Sequence, residues 1–296
     1  MTTKSKAEAL LLAMTFVWGG TFAVVKIGMR DISPILLIAI RFIIAAGLYG
    51  ALFWRSIFPI RSPLIVKGSI LGLFLFLGFV AQNIGLLYTT ASKSGFITGM
   101  MVVFVPLLQY IIERRAPKLG NLLGVAIVST GLWFLTSPTG ASFNIGDALT
   151  IVCSILFAVY IVYLDVISRE MTPLQLTFLQ MSSTAVYSTC AVLFVETPRW
   201  EPTTSLLISM LYLTLFATVL TTYVQTRYQK ETTPTRAVII FALEPVIASI
   251  VAYVALSEEM GILGIVGGAL IVGGVLLSEF SDTLPFLNRS FDNSES

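Results

Sequence analysis

Ten apolar blocks of 17 to 23 residues, separated by short polar breaks, run the length of this 296-residue chain. As a helix rising roughly 1.5 Å per residue, each block can cross a hydrocarbon core of about 30 Å. Inside a bilayer the backbone must satisfy its own hydrogen bonds, so such a pattern specifies an all-α, polytopic membrane protein with ten transmembrane helices. The spans are expected at 8–29, 34–54, 66–88, 94–112, 120–136, 147–165, 174–195, 204–226, 235–256 and 262–280. The first follows Lys4 and Lys6 as a signal peptide would. It is too long for an apolar signal region and has no small-x-small cleavage site before Lys26, so it reads as a retained span.

Charged residues make up 11% of the chain and hydrophobic residues 56%, against about 25% charged in soluble domains. A water-soluble globule is excluded. The net charge of +2 comes from 18 basic and 16 acidic residues scattered along the chain, which leaves no surface for a nucleic acid. Cys153 and Cys190 both lie in apolar blocks, so neither a disulfide nor a metal framework is indicated. Histidine is absent, and with it the commonest general base, metal ligand and neutral-pH proton relay. No Walker-type nucleotide loop occurs. No cofactor and no catalytic residue is expected. With the N-terminus in the cytoplasm, thirteen Lys and Arg lie inside and four outside, with Arg41 inside a span. Cytoplasmic enrichment of basic residues sets orientation. The expectation is a multi-pass protein of the cell inner membrane with both termini cytoplasmic.

The segment Arg30-Asp31-Ile32-Ser33-Pro34 returns as Arg169-Glu170-Met171-Thr172-Pro173, 139 positions on, and Pro106 and Pro245 are separated by the same 139. Gly124 and Gly131 pair with Gly267 and Gly274 at an offset of 143, which puts a four-residue length difference near the ends of spans four and nine. The chain reads as two five-span copies, residues 1–139 and 140–280, followed by a polar tail, 281–296, expected to be disordered and cytoplasmic. Five is odd, so the second copy enters the membrane from the opposite face. Inverted repeats of this kind are a transporter signature, because one fold in two orientations provides two gates around one site.

The chain resembles the EamA-type permeases of the drug/metabolite transporter superfamily. The resemblance rests on Trp18-Gly19-Gly20-Thr21-Phe22, Arg41-Phe42, and the run from Thr90 to Gly99 leading to Val105-Pro106. The second half adds Gln225, Gln229, Thr233 to Ala237, Leu243-Glu244-Pro245-Val246, Ser257-Glu258 and Gly267 to Ile271. It implies ten helices, a substrate cavity between the halves near mid-membrane, and export of amino acids, other metabolites or amphiphilic compounds. Ser257 stands where the family usually has glycine, and the exit of span four, Glu113 to Pro117, is shorter than its counterpart in the second half.

Glu244 falls about nine residues into span nine, near mid-membrane, where a carboxylate usually marks an ion or substrate path. Two readings stand, a ligand for a substrate ammonium or proton, and a structural anchor to a neighbouring span. Pro106 and Pro245 remove backbone bonds to Val102 and Phe241, and serve either as hinges for alternating access or as shapers of a fixed wall. Arg41, closer to its interface, reads first as a structural ion pair or interfacial anchor and second as a ligand for a substrate carboxylate. Thr218, Thr222, Gln225 and Gln229 share one helical face. With Gln82, Asn83 and Thr98, and with Gln180, Thr184 and Tyr187, they either line a moderately polar site or hydrogen-bond between helices. Trp18, with Phe22, Tyr88 and Tyr160, is either cavity wall or packing. Lys26 and Asp165 read mainly as interfacial residues. The candidate substrate-binding set is Glu244, Trp18, Gln82, Asn83, Thr98, Thr222 and Gln225. Small-xxx-small glycine pairs in spans five and ten mark either a contact between halves or a homodimer face.

The reading is a secondary transporter, not an enzyme, that exports a small organic solute by alternating access, with membrane lipids as its surroundings. A membrane-embedded lipid-modifying enzyme and a non-transporting sensor or assembly factor are the alternatives. The first lacks a nucleophile with an evident partner.

Overall fold

The computed structural model describes residues 3–114, 116–135, 143–257, 261–281 and 287. Arg115, Glu258, the boundary between residues 139 and 140 and most of the tail lie outside them. The spans are, in order, Thr3–Gly28, Pro34–Ile57, Ser62–Leu86, Ala91–Glu113, Leu119–Leu135, Ile145–Ile167, Pro173–Val195, Thr204–Glu231, Pro234–Leu256 and Ile262–Phe280. Among the described residues nine of these helices are long and apolar enough to cross a membrane, and span five is a shorter apolar helix. Local chemistry marks the starts. Proline occupies the first turn of spans two, three, seven and nine, where its missing N–H removes no helical bond. Thr90, Thr172, Thr203 and Thr233 cap the starts of spans four, seven, eight and nine through their side chains.

The packing establishes the inversion. Spans five and ten meet through glycines: a Cβ on Gly124 would lie 3.1 Å from the Gly274 carbonyl oxygen, and one on Gly131 2.7 Å from that of Gly267. Residue numbers rise on one helix as they fall on the other, so two helices at equivalent places in the halves run antiparallel. Spans two and seven repeat this. Gln175, at the start of span seven, donates through Nε2 to the carbonyl of Ile57, at the end of span two, at 3.0 Å. Span one packs on span nine as span six packs on span four. The protein is thus two inverted five-helix repeats; of the small-xxx-small pairs offered in sequence, Gly120 and Gly124 pack on span ten at Ser281 and Ser278, while Gly268 faces Val246 of span nine.

Matching ion pairs secure both ends of this arrangement. Lys93 Nζ lies 2.6 Å from Asp147 Oδ2, joining spans four and six. Arg236 Nε lies 2.5 Å from Glu8 Oε1, joining spans nine and one. Lys93 and Arg236 each sit three residues beyond their capping threonine, and Glu8 and Asp147 are separated by the repeat interval of 139, so one device appears at both faces.

The four-residue length difference is not near the ends of spans four and nine. The capping residues Thr90 and Thr233 are already 143 apart, and the exits 114–118 and 257–261 are both five residues long. Both exits begin with a left-handed residue, Arg114 and Ser257, each at φ 55°. The extra residues lie between spans seven and eight, where 196–203 is twice as long as 58–61. They form a strap over the turn between spans one and two. The Glu196 carboxylate accepts from Ile35 N at 3.0 Å and from Leu36 N and Ser33 Oγ at 2.9 Å, Ile32 bridges Trp200, and Arg199 donates to the Met29 carbonyl at 2.9 Å.

Candidate functional site

Spans four and nine are both interrupted near their middles. In span four the helix tightens at Met100, whose N–H bonds the Ile97 carbonyl at 3.1 Å. In span nine the first segment ends at Phe241, Ala242 and Leu243 form a turn, and Glu244 opens the second segment with Pro245 in its first turn. Pro245 has no N–H for the Phe241 carbonyl, which accounts for a break there. Pro106 instead lies within the continuous segment Met101–Glu113. Because spans four and nine align at 143, the two prolines stand one turn apart in the repeat, and Met101, not Pro106, is the counterpart of Glu244.

These interruptions border a cavity of about 70 Å³, room for roughly five waters at about 10–15 Å³ each. Spans one, two, three, four, six, eight and nine contribute to its wall. Glu244 is 8% exposed, and among the described residues its carboxylate has no hydrogen-bond or ion-pair partner. The free N–H groups and dipole of a helix start favour negative charge at this place.

Arg41 is 3% exposed and lines the same cavity. It holds no ion pair among the described residues, so the ion-pair half of its first sequence reading falls. Its Nε donates to Thr218 Oγ1, its Nη2 donates to the Ala217 carbonyl at 2.8 Å, and its guanidinium lies 4.8 Å from the Phe79 ring centroid. The partners arise from span eight, where Tyr212–Leu220 winds as a π-helix. The wide turn lets Thr218 Oγ1 reach the carbonyl of Leu213, five residues back, at 2.7 Å, and it presents the Ala217 carbonyl to the guanidinium. Nothing in the composition of this segment distinguishes it from an ordinary apolar helix.

Of the residues singled out in sequence, Glu244, Trp18, Gln82, Thr98 and Gln225 line the cavity, and Tyr160 joins them. Trp18 stacks edge-on against Phe241, centroids 5.3 Å apart. Gln82 Nε2 lies 3.5 Å from Thr98 Oγ1. The Tyr160 hydroxyl donates to Gln180 Oε1 at 2.8 Å, and Gln225 Nε2 donates to Gln229 Oε1 at 2.9 Å. Asn83 and Thr222 are buried but are not in the cavity wall; Asn83 Nδ2 donates to the Pro34 carbonyl at 3.2 Å. Phe22 packs under Gly95, and Tyr88 is exposed. Lys26 donates to the Thr89 carbonyl at 2.9 Å, and Asp165 pairs with Arg169 at 3.1 Å. Thr21, quoted in sequence only within a family motif, also lines the cavity, as do Phe79 and Phe157, which look like other apolar-span residues. Gln109, an amide inside an apolar block, did carry a signal that the sequence reading passed over.

An inverted bundle of apolar helices around a cavity walled by both halves has known relatives. The EamA-like transporter family matches this chain twice, over residues 5–137 and 144–280. The chain belongs to the EamA-like transporter family. An uncharacterized transporter of Archaeoglobus fulgidus is 30% identical over 271 residues, covering 92% of this chain and 85% of that protein. The uncharacterized transporter YoaV of Bacillus subtilis is 22% identical, covering 92% of this chain and 96% of that protein. A crystal structure 20% identical in sequence superposes with a TM-score of 0.75, covering 93% of this chain and 96% of that one, which shows the shared fold. This EamA-like chain is therefore a multi-pass membrane transporter.

Proposed function

We propose that this EamA-like transporter exports a small organic solute, of the class of amino acids, related metabolites or amphiphilic compounds, across the cell inner membrane by alternating access. Residues 1–139 and 140–280 act as its two repeats, and both termini lie in the cytoplasm. The observation that carries this reading is the buried, unpaired Glu244 carboxylate in a cavity walled by both halves. An unpaired carboxylate in apolar surroundings is costly, and a substrate ammonium or a proton relieves the cost. Trp18 offers an aromatic face to an apolar or cationic moiety, while Gln82, Thr98 and Gln225 supply amide and hydroxyl groups. Asn83 and Thr222 stand behind this set and support the helices that carry it. Pro245 acts as a hinge at the break in span nine, and Pro106 as a lesser one within span four.

The test is flux in proteoliposomes against a panel beginning with aromatic and hydrophobic amino acids, with and without a proton gradient, in the parent and in Glu244→Gln. The reading expects a saturable flux that Glu244→Gln lowers by at least about tenfold. Parental flux indifferent to the gradient, together with a fully active Glu244→Gln, sinks the role of Glu244 and proton coupling. No saturable flux of any member sinks the substrate class.

A further inference from the structure

Two side-chain amides of span eight lead from the cavity towards the end of that span, and the direction of their hydrogen bonds is fixed at the far end. Gln229 Nε2 donates to the Ile161 carbonyl at 2.8 Å. A carbonyl only accepts, so the Gln229 amide meets it through nitrogen and turns Oε1 the other way. That oxygen accepts from Gln225 Nε2 at 2.9 Å. With its nitrogen committed to Gln229, Gln225 directs Oε1 to Tyr160, beside which it lines the cavity. At the repeat offset of 143 the counterparts of Gln225 and Gln229 are Gln82 and Leu86. Leucine has no polar group with which to orient Gln82 in this way.

The acceptors gathered at the cavity are short of donors. The Tyr160 hydroxyl has one proton, which goes to Gln180 Oε1 at 2.8 Å, and Gln225 Oε1 is the farther acceptor at 3.4 Å. The Tyr160 oxygen keeps lone pairs of its own. Glu244, in the same wall, has no hydrogen-bond or ion-pair partner among the described residues, and Arg41 directs Nε and Nη2 to span eight. A volume of about 70 Å³ brings a small occupant within reach of all three groups. Buried acceptors without donors are costly. A primary ammonium has one positive charge and three N–H donors, the complement of this set, whereas a quaternary ammonium has the charge and no donor.

We infer that Gln229 is a positioning residue of the substrate site: by holding Gln225 with its carbonyl towards the cavity, it completes, with Glu244 and Tyr160, a subsite that reads a primary ammonium by its N–H groups. The inference rests on the transport reading and deepens it, naming the group recognised and the residue that sets the recognition.

The experiment uses the full chain in proteoliposomes. Flux of each aromatic and hydrophobic amino acid is measured with its own N,N,N-trimethyl form as competitor, and the ratio of the competitor's inhibition constant to KM is read. This ratio does not depend on how much protein folds. In the parent it lies well above one. Gln229→Met, similar in volume but without the amide, frees Gln225 to turn and lowers the ratio by about tenfold. Gln229→Glu, which still accepts from Gln225 Nε2, keeps the parent ratio. Gln225→Met lowers the ratio as far, and adding Gln229→Met to it changes nothing more, because the second residue acts through the first. A parental ratio in Gln229→Met or in Gln225→Met overturns the inference. So does a Gln229→Glu that behaves like Gln229→Met, which marks packing damage, and so does a further fall in the double variant. A parent that binds both forms equally, or prefers the trimethyl form as an aromatic cage would, overturns the subsite and leaves transport standing. No saturable flux of any amino acid in the parent overturns the substrate class and the subsite together.

Discussion

Glu244 and Arg41 are opposite charges in one cavity wall without an ion pair between them. Arg41 is satisfied by Thr218, the Ala217 carbonyl and the face of Phe79, whereas Glu244 has only the dipole of its helix start. Arg41→Lys keeps the charge but loses the planar fork that makes both bonds while stacking. It is expected to destabilise the protein by about 1–3 kcal/mol, read as lower thermal stability in detergent. Glu244→Gln removes an unpaired buried charge at nearly constant volume, so thermal stability should hold or rise while flux falls. A clear loss of stability with flux intact assigns Glu244 the structural-anchor role instead. At this scale the sequence showed which polar groups sit deep in spans. It did not show that Glu244 faces open space while Asn83 is tied to the Pro34 carbonyl, because that depends on the azimuth of each helix within the bundle.

At the scale of elements, the left-handed exit of span nine explains the glycine that the family resemblance led one to expect there. Ser257 adopts φ 55°, a conformation glycine takes without the steric cost that a Cβ brings. Ser257→Gly relieves about 1–2 kcal/mol of left-handed strain against about 0.5–1 kcal/mol of added chain entropy, so the midpoint of thermal unfolding in detergent should rise. The spans five and ten contact makes the opposite prediction. A Cβ on Gly131 would lie 2.7 Å from the Gly267 carbonyl and 2.8 Å from Ile271 N, both backbone atoms, while one on Gly273 meets nothing within 4 Å. Gly131→Ala should cost about 1–3 kcal/mol by forcing the helices apart, and Gly273→Ala should leave the unfolding midpoint unchanged or slightly raised. If the two glycine variants melt alike, the helices do not pack as described. Span existence and most boundaries were legible from apolar length, proline and threonine caps. The interruption at Met100 and the π-helical stretch of span eight were not, since they answer to tertiary partners rather than local propensity.

For the whole molecule, the unequal strap is a departure from two-fold symmetry among the described residues. Residues 196–203 cap span two through Glu196, while the shorter 58–61 connection meets span seven through Gln175, which donates to the Pro59 carbonyl, and through Phe58 against Phe178. Glu196→Gln weakens a charge-assisted cap on a helix start and should cost about 1 kcal/mol, seen as earlier thermal unfolding. The inverted architecture predicts that cysteines placed by Arg30→Cys and Arg169→Cys, equivalent positions in the repeats, label from opposite faces of a sealed vesicle, with Arg169 on the face of the N-terminus. Labelling of both from one face contradicts the fold.

The sequence by itself determined that the chain crosses a membrane ten times and does so as a repeated, inverted unit, because apolar length and an odd span count are properties of the chain read in one dimension. Only the tertiary structure decided that Glu244 has no partner among the described residues, that Arg41 bonds span eight, and that Gln109 meets Thr235. In a bilayer both lipid-facing and bundle-facing positions are apolar, so the helical face that turns inward leaves little trace in the pattern. Each of these contacts depends on how two helices, far apart in sequence, are rotated against one another.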